Sequence, residues 1–596
     1  MRRGRLSIAA VLIAAGALRA LGIGFGLPYP YAAVDEHIVT DRAVLMTSGD
    51  LNPHYFAYPS LSFDLHALLA LAVHAVGRIG GAWRSLAGFA TSYWLDPTPF
   101  LLAARWLTLA IAVASVWATS RLASGLARAR LTDGGDHGDE NSNADGRSRR
   151  RAAVVGAAAL ALSFLHVSNS RWVTVDAPVV LFAALTLCHA LRHLRAGGRR
   201  DLLLAALFAG LAASSKYYGA LLALPVAAAG LLSAWRDEGP GSAAGRAARR
   251  LLAAAGVTIA AFLATSPFVV LDFAAFRSEF AQLGKHMAGG HLGHDPTRSG
   301  AVVYASLLAS RQVGAWLLIP AAFGLIALLA RRTSGATALV LLLQPVAHFV
   351  LIARFRSQPA DYLLVLLPTL AALAGYGAAA VARAVESRSA RRRATIGADG
   401  GAAAGALACA VVALPLSIGG WHAALQGLAL RRPDTRVVMR RFIEEHLPDG
   451  TRVAADTWLD LPLTADCLER MTVGDAEPDP VKRRRSRDEP AASLEAKLAA
   501  ARAQPRSPAY DFALLAPAEV ALGDDLIAAL KENGFRWLVL DGTRAVRMER
   551  TGGRFQERAA WYRRWMEGPW IAARFDPAYG KVSGPPLTLI DVDRTP

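Results

Sequence analysis

Cysteine is nearly missing: three in 596 residues, with Cys188 and Cys409 inside apolar runs and Cys467 alone toward the C-terminal end. That scarcity excludes a disulfide framework or a CxxC zinc site in the C-terminal region, and leaves the redox compartment unread. Also absent are a GxSxG elbow, a Walker loop and an HExxH motif, so serine hydrolase, NTPase and zincin chemistry lack support. No repeat occurs at solenoid spacing. Gly22, Gly24 and Gly26 imitate a dinucleotide fingerprint, yet they follow no strand and open no soluble helix. Acidic residues are the scarcer charge, 47 against 65 Lys plus Arg, for a net charge of +18. No basic stripe is interleaved with aromatics, so nucleic acid is not an expected partner.

What is abundant is apolar sequence. Hydrophobic residues make up 54% of the chain, and the mean hydropathy of +0.30 excludes a disordered or ordinary soluble protein. Apolar runs fall near 6–27, 100–123, 152–168, 175–194, 202–215, 218–235, 251–271, 313–330, 335–353, 361–383 and 400–421. Most approach the ~20 residues needed to cross a bilayer. The basic start and apolar centre of "MRRGRLSIAAVLIAAGALRA" imitate a signal peptide; the many later runs favour an uncleaved first span.

Basic residues between these runs set the sidedness. The loops 128–151, 192–200, 246–250, 331–332 and 388–393 all belong on the cytoplasmic side if 62–80 does not cross. That segment carries Asp64, His66, His74 and Arg78 and suits a helix at the outer interface, with a hairpin-like crossing as the alternative. The fold class expected is a polytopic α-helical membrane protein of about eleven spans in the plasma membrane. Its N-terminus is cytoplasmic, and residues 1–421 form the membrane domain with an outer loop at 28–99. From 422 to 596, amphipathic helices alternate with short apolar strands such as "FRWLVLDG", so this part is expected to be a small extracytoplasmic α/β domain. The polar stretch 474–492 is expected to be a flexible loop.

On the outer face this topology gathers charges that membrane boundaries seldom carry. Asp35 and Glu36 follow the first span in "YAAVDEHIVTDRA", and Asp176 emerges in "NSRWVTVDAP". One carboxylate beside a hydroxyl acceptor serves as a general base, and a second orients it; the plain alternative is solvated boundary acids. Lys216 lies at a break between two short helices with Tyr217 and Tyr218 beside it, and Arg354 and Arg356 end a span. Such cations suit a lipid phosphate, against the plain reading of interfacial snorkelling. Tyr58 lies in the aromatic, turn-rich "LNPHYFAYPSL". His286, His291, His294 and Asp295 have a spacing that zinc could use, but the glycine-rich stretch reads as a mobile loop over a polar cavity.

Taken in order, these segments resemble the GT-C glycosyltransferases, in the branch of the protein O-mannosyltransferases and the aminoarabinose transferase of lipid A modification. The outer "DE" followed by "YPSL" is similar to that branch's first outer loop. "RWLTLAIAVASVWATSRLAS" is similar to its second span, "SRWVTVDAPVVLFAALTL" to its "SR…DAP" segment and "GLAASSKYYG" to its "GLA…TKY" break. "ADYLLVLLPTLAALAG" is similar to its "RYLLPLLPAL" span, and the final "GPPLTLIDVD" to the last strand of bacterial outer domains.

The resemblance implies an inverting transfer of a sugar, mannose or another hexose or pentose, from a polyprenyl-phosphate carrier. The acceptor is a hydroxyl of an envelope lipid, glycan or protein on the outer face. No cofactor is needed, with a divalent metal as the variant. It also implies Asp35 as the base, Glu36 as support for the loop and Asp176 as a holder of acceptor or sugar. Arg105, Arg171, Lys216, Tyr217, Tyr58 and His291 become candidates for binding substrate. The family's Arg-Tyr before "LLP" is Asp361-Tyr362 here, so its phosphate role falls to Arg354 or Arg356. The outer loop 272–312 is too short for a β-trefoil module, which weakens protein as acceptor. The rival from another class is a transporter or flippase of lipid-linked sugars, which needs the cations but no base. A third is a non-catalytic envelope-assembly protein.

Overall fold

The structure, a computed structural model, describes residues 2–33, 35–128, 139–237, 240–295, 297–331, 334–396, 401–473, 490–515, 524–578 and 582–595. Most of the polar stretch 474–492, and residues 129–138 of the long basic loop, lie outside them. The chain opens with α1 (Arg2–Ala20), α2 (Glu36–Met46), α3 (Leu61–Ile79), α4 (Leu86–Leu95) and α5 (Thr98–Ala127). Then come α6 (Asp139–Ala161), α7 (Phe164–Asn169), α8 (Asp176–Ala196) and α9 (Arg199–Ser215). Further helices follow to Ala429.

Among the described residues seven helices are long and apolar enough to cross a membrane, or eight if Ala403–Ala413 and Leu416–Ala429, bent by 45°, count as one span. The protein is thus a multi-pass membrane protein, although the expected eleven spans are not reached by this measure. Local breaks account for the difference. The run 6–27 leaves helix at Ala20 for a series of turns, and 152–168 is interrupted between α6 and α7. Leu6–Ala20 and Ala315–Leu329 are apolar but shorter. The segment 62–80, expected at the interface, forms α3, which does meet the length and hydropathy needed to cross.

Small residues let the central helices approach closely. A Cβ on Gly375 would lie 2.7 Å from the Gly156 nitrogen, and one on Gly377 would lie 2.7 Å from the Gly324 nitrogen. The long helix Leu367–Ile396 therefore packs backbone to backbone on α6 and on Ala315–Leu329. Hydrocarbon outside gives no hydrophobic drive for helix pairing, so such close contact does the work.

Beyond the last apolar helix the chain forms a five-stranded mixed sheet: β1 (Arg452–Ala455), β2 (Asp511–Leu514), β3 (Trp537–Asp541), β4 (Ile571–Phe575) and β5 (Leu587–Asp591), in spatial order β2-β1-β3-β5-β4. β1 pairs in parallel with β2 and β3, while β5 runs antiparallel to β3 and β4. Successive side chains face opposite sides of a strand. Accordingly Val453, Ala455 and Val539 pack with Met439, Ile443 and Trp458 on one face. Ala454, Leu538 and Leu540 pack with Leu530, Met548 and Trp565 on the other. Helices cover both faces.

The loop that follows α1 docks onto this sheet unit. Tyr29 is buried in its first core, and Arg436, doubly bonded to Asp434, lies over the Tyr29 ring at 4.4 Å. Inside the unit, Asp456 is fully buried and accepts from the Asp541 nitrogen at 2.9 Å and the Tyr562 hydroxyl at 2.7 Å. Burial pushes its pKa up to about 6, chiefly by desolvating the charge.

A group whose folded pKa is raised stabilises fully below its unfolded pKa and loses that contribution as pH rises through the folded one. The thermal midpoint of the detergent-solubilised protein should therefore fall as pH rises from 3.8 to about 6. Asp456→Asn should flatten that slope; an unchanged slope would show that Asp456 does not titrate in this window.

Candidate functional site

Asp35 and Glu36 are adjacent in sequence and go to opposite fates. Asp35 is the residue before α2, in left-handed backbone at φ 63°. Aspartate tolerates that region better than most residues, at a cost of about 1–3 kcal/mol. An aspartate here usually accepts an amide N–H of the first turn, but this side chain makes no such cap. Its Oδ2 instead accepts from the Tyr58 hydroxyl at 2.7 Å. Burial, then the Asp35 charge, pushes the Tyr58 phenol well above its ordinary range, so it remains a donor.

Glu36 turns inward and is fully buried. The Arg105 Nε donates to its Oε1 at 2.8 Å and Nη2 to its Oε2 at 2.7 Å. The Val173 nitrogen adds a third bond to Oε1, at 3.0 Å. Arg105 Nη1 donates to the carbonyls of Ile23 and Phe25, at 2.8 and 2.9 Å. One ion pair thus fastens α2, α5, the end of the first helical segment and the loop before α8. This agrees with one expectation and corrects another. Glu36 supports the loop and is not placed for proton transfer, whereas Arg105, fully buried and bonded to Glu36 and two carbonyls, is not a cation near a phosphate.

Arg171 also has surroundings other than expected. It is buried and donates to Gln426 Oε1 at 2.6 Å and to the carbonyls of Ala423 and Leu18, at 2.6 and 3.2 Å. Those bonds tie the α7–α8 connection to α1 and to Leu416–Ala429.

Asp176 and Lys216 do meet. Helix α9 stops at Ser215, Lys216 is extended at φ −153°, and a short 3-10 turn, Tyr217–Leu222, follows. The break aims Nζ at Asp176 Oδ1, 2.8 Å away, and Tyr218 donates to the same oxygen at 3.0 Å. Asp176 opens α8, where the helix dipole favours an anion. A second carboxylate, Asp361, accepts from Lys216 Nζ at 3.0 Å. The rings of Tyr218 and Tyr362 lie 5.3 and 4.9 Å from Nζ.

Asp35 is within electrostatic reach of Tyr58, Tyr362 and His286, and Lys216 within reach of Tyr58. The Asp35–Tyr58 pair and the Asp176–Lys216–Asp361 group are therefore neighbours. Tyr217 is turned elsewhere: its hydroxyl donates to the Phe56 carbonyl at 2.9 Å, holding the aromatic loop. Sequence reasoning missed Asp361 as a partner of Lys216. The signal was there, since an acid replaces the family's arginine at that position.

The histidine segment lies on residues 354–358. The nitrogens of Arg356 and Ser357 donate to the Met287 carbonyl, and the Gln358 nitrogen donates to His294 Nδ1 at 2.9 Å. That last bond leaves Nδ1 unprotonated. Burial, then His291, lowers the pKa of both His286 and His294. His291 is exposed between them, with ring centroids 5.5 and 5.4 Å away, and among the described residues no three ligating side chains converge to hold a metal. Arg354 and Arg356 are exposed, with no ion pair among the described residues.

Residues 147–239, which carry both Asp176 and Lys216, match the family of dolichyl-phosphate-mannose-protein mannosyltransferases. No curated protein matches the chain. Similar solved structures include ArnT from Cupriavidus metallidurans bound to undecaprenyl phosphate, at 13% identity and TM-score 0.49, covering 98% of this chain and 97% of that one. Another is the Archaeoglobus fulgidus oligosaccharyltransferase AglB with an inhibitory peptide and a dolichol-phosphate, at 9% identity and TM-score 0.46, covering 96% and 73%. The S. cerevisiae protein O-mannosyltransferase Pmt1-Pmt2 complex bound to the sugar donor has 18% identity and TM-score 0.32, over 46% and 34%.

Removing one partner of a buried ion pair strands the other charge, at about 3–5 kcal/mol. Glu36→Ala should therefore lower the thermal midpoint sharply in detergent, while Glu36→Leu combined with Arg105→Met should recover most of the loss. Equal melting of the single and double variants would count against the clamp.

Proposed function

We propose that this protein is a glycosyltransferase that moves a sugar from a polyprenyl-phosphate carrier to a hydroxyl of an envelope acceptor, on the outer face of the plasma membrane. In this reading the N-terminus is cytoplasmic, 1–421 is the catalytic membrane domain and 422–596 is an extracytoplasmic unit. The observation that carries it is the placing of Asp35: a carboxylate released from capping its own helix, held by Tyr58, beside the Asp176–Lys216 pair.

Asp35 takes the proton of the acceptor hydroxyl as its oxygen forms a bond to the anomeric carbon. The bond from that carbon to the carrier phosphate oxygen breaks on the opposite side, and its electron pair leaves with the phosphate. The product is inverted, and the leaving group, already an anion, needs cations rather than a general acid. Lys216 bears one positive charge against the two negative charges of Asp176 and Asp361. That group repels a phosphate on balance and suits sugar hydroxyls. The phosphate belongs nearer Arg354 and Arg356, whose charges are not spent within the protein.

Loss of a general base costs about 10²–10⁴-fold. Asp35→Asn should lose sugar release from radiolabelled polyprenyl-phosphate mannose, or from another carrier-linked sugar, by that factor at matched expression, with polyprenyl-phosphate binding unchanged. Wild-type turnover in the variant would remove Asp35 as the base. Intact donor in both proteins, with lipid crossing the bilayer, would favour the transporter.

Arg354→Gln with Arg356→Gln should weaken polyprenyl-phosphate binding by about tenfold, and Asp361→Asn should tighten it, since charge-assisted bonds are worth that much. A direct binding isotherm at low salt checks both signs.

A further inference from the structure

A cavity of about 520 Å³ lies between the loop that follows α1, the end of α4 and the C-terminal unit. Its size falls in the range of ~300–1,000 Å³ typical of small-ligand sites. None of the chemistry above uses it. We propose that it binds a neutral oligosaccharide, the part of a glycan acceptor that lies next to the sugar being extended. This rests on the glycosyl-transfer reading and narrows its acceptor to a glycan.

The wall chemistry selects the ligand. Tyr31 and Trp458 line the cavity with ring centroids 5.8 Å apart, and His37 lies 4.8 Å from Tyr31 on the same side. Aromatic side chains offer an apolar face with a polar tip, which matches the C–H face and hydroxyl rim of a pyranose. The charged lining balances: Arg440, Lys497 and Arg506 against Asp41, Asp96 and Asp460. A cavity balanced in this way favours an uncharged polyol over a phospholipid headgroup, while its carboxylates and cations remain strong partners for hydroxyls.

The cavity is also built in advance. Arg440 is held by Asp460 at 2.7 Å, Lys497 lies over Trp458 at 5.7 Å, and the Tyr93 hydroxyl donates to Asp41 at 2.5 Å. Pro28, Pro30, Pro97, Pro462 and Pro490 stiffen its edges. Such preorganisation lowers the ordering cost of binding.

Position connects it to the reaction. Asp35 lies between Tyr31 and His37 in the chain, and two residues span at most ~7 Å. A sugar chain seated against His37 therefore has its next unit within reach of Asp35. The cavity also joins the membrane part to the C-terminal unit, which supplies Arg440, Trp458, Asp460 and Lys497. That gives the C-terminal unit a role in acceptor binding.

The test uses the full chain in detergent. End-labelled mannan, galactan, arabinan and glucan hexasaccharides are each titrated by fluorescence anisotropy, beside glycerol phosphate and a serine-rich peptide. At least one hexasaccharide should bind saturably. Trp458→Ala and the partly exposed Lys497→Ala should each weaken it by about tenfold. No saturable binding of any hexasaccharide, binding indifferent to both variants, or binding of the peptide or glycerol phosphate alone overturns the proposal. Donor cleavage in the same preparation separates the two readings. Donor consumed without oligosaccharide binding sinks this inference only. Oligosaccharide bound while every donor stays intact sinks the transferase reading and leaves the cavity assignment standing.

Discussion

The region around the candidate site depends on the buried pair between Glu36 and Arg105. An isolated charge is so costly to bury that each partner demands the other, and both also take up backbone groups that would otherwise lack partners. Through Glu36 the pair reaches α2 and the Val173 amide; through Arg105 it reaches α5 and the carbonyls of Ile23 and Phe25. Four stretches far apart in sequence are thereby held at one point. Asp35 is the next residue along. Its backbone sits in a sparsely populated conformation because its neighbour is fixed, and the cost is borne by the clamp.

Around that fixed point the charges divide into those that build and those that remain for a ligand. Arg105 and Arg171 are buried and bonded inside the fold. Lys216 lies between two carboxylates and two tyrosine rings. Arg354 and Arg356 keep their positive charge at the surface beside the histidine segment. The proposed substrate, a neutral sugar on an anionic phosphate, matches this division. The cavity at the C-terminal unit, with charges balanced, suits the uncharged chain proposed for it.

Much of the fold was legible because its signals are local. Apolar runs near the bilayer length announce membrane helices whatever their neighbours, and the change after 421 to alternating helix and strand foretold the mixed sheet. Span number was less legible, since breaks such as the one between α6 and α7 depend on packing rather than hydropathy. In the candidate site, Asp35, Asp176, Lys216 and Tyr58 stood out as polar groups at membrane boundaries or aromatics in an outer loop. The structure brings these four into one neighbourhood.

What the sequence determined by itself is the class of molecule: a helical membrane protein with an α/β end and charges gathered at its boundaries. What tertiary structure decided is the task of each charge. Nothing local distinguishes Asp35 from Glu36, yet Asp35 precedes α2 in left-handed backbone while Glu36 opens the helix, so the first meets Tyr58 and the second Arg105. Nothing local distinguishes Arg171 from Lys216 either. One is consumed by Gln426, 255 residues away, and the other by Asp176 and Asp361. The energy of a buried charge is set by its partners, and those partners are assembled only by the fold.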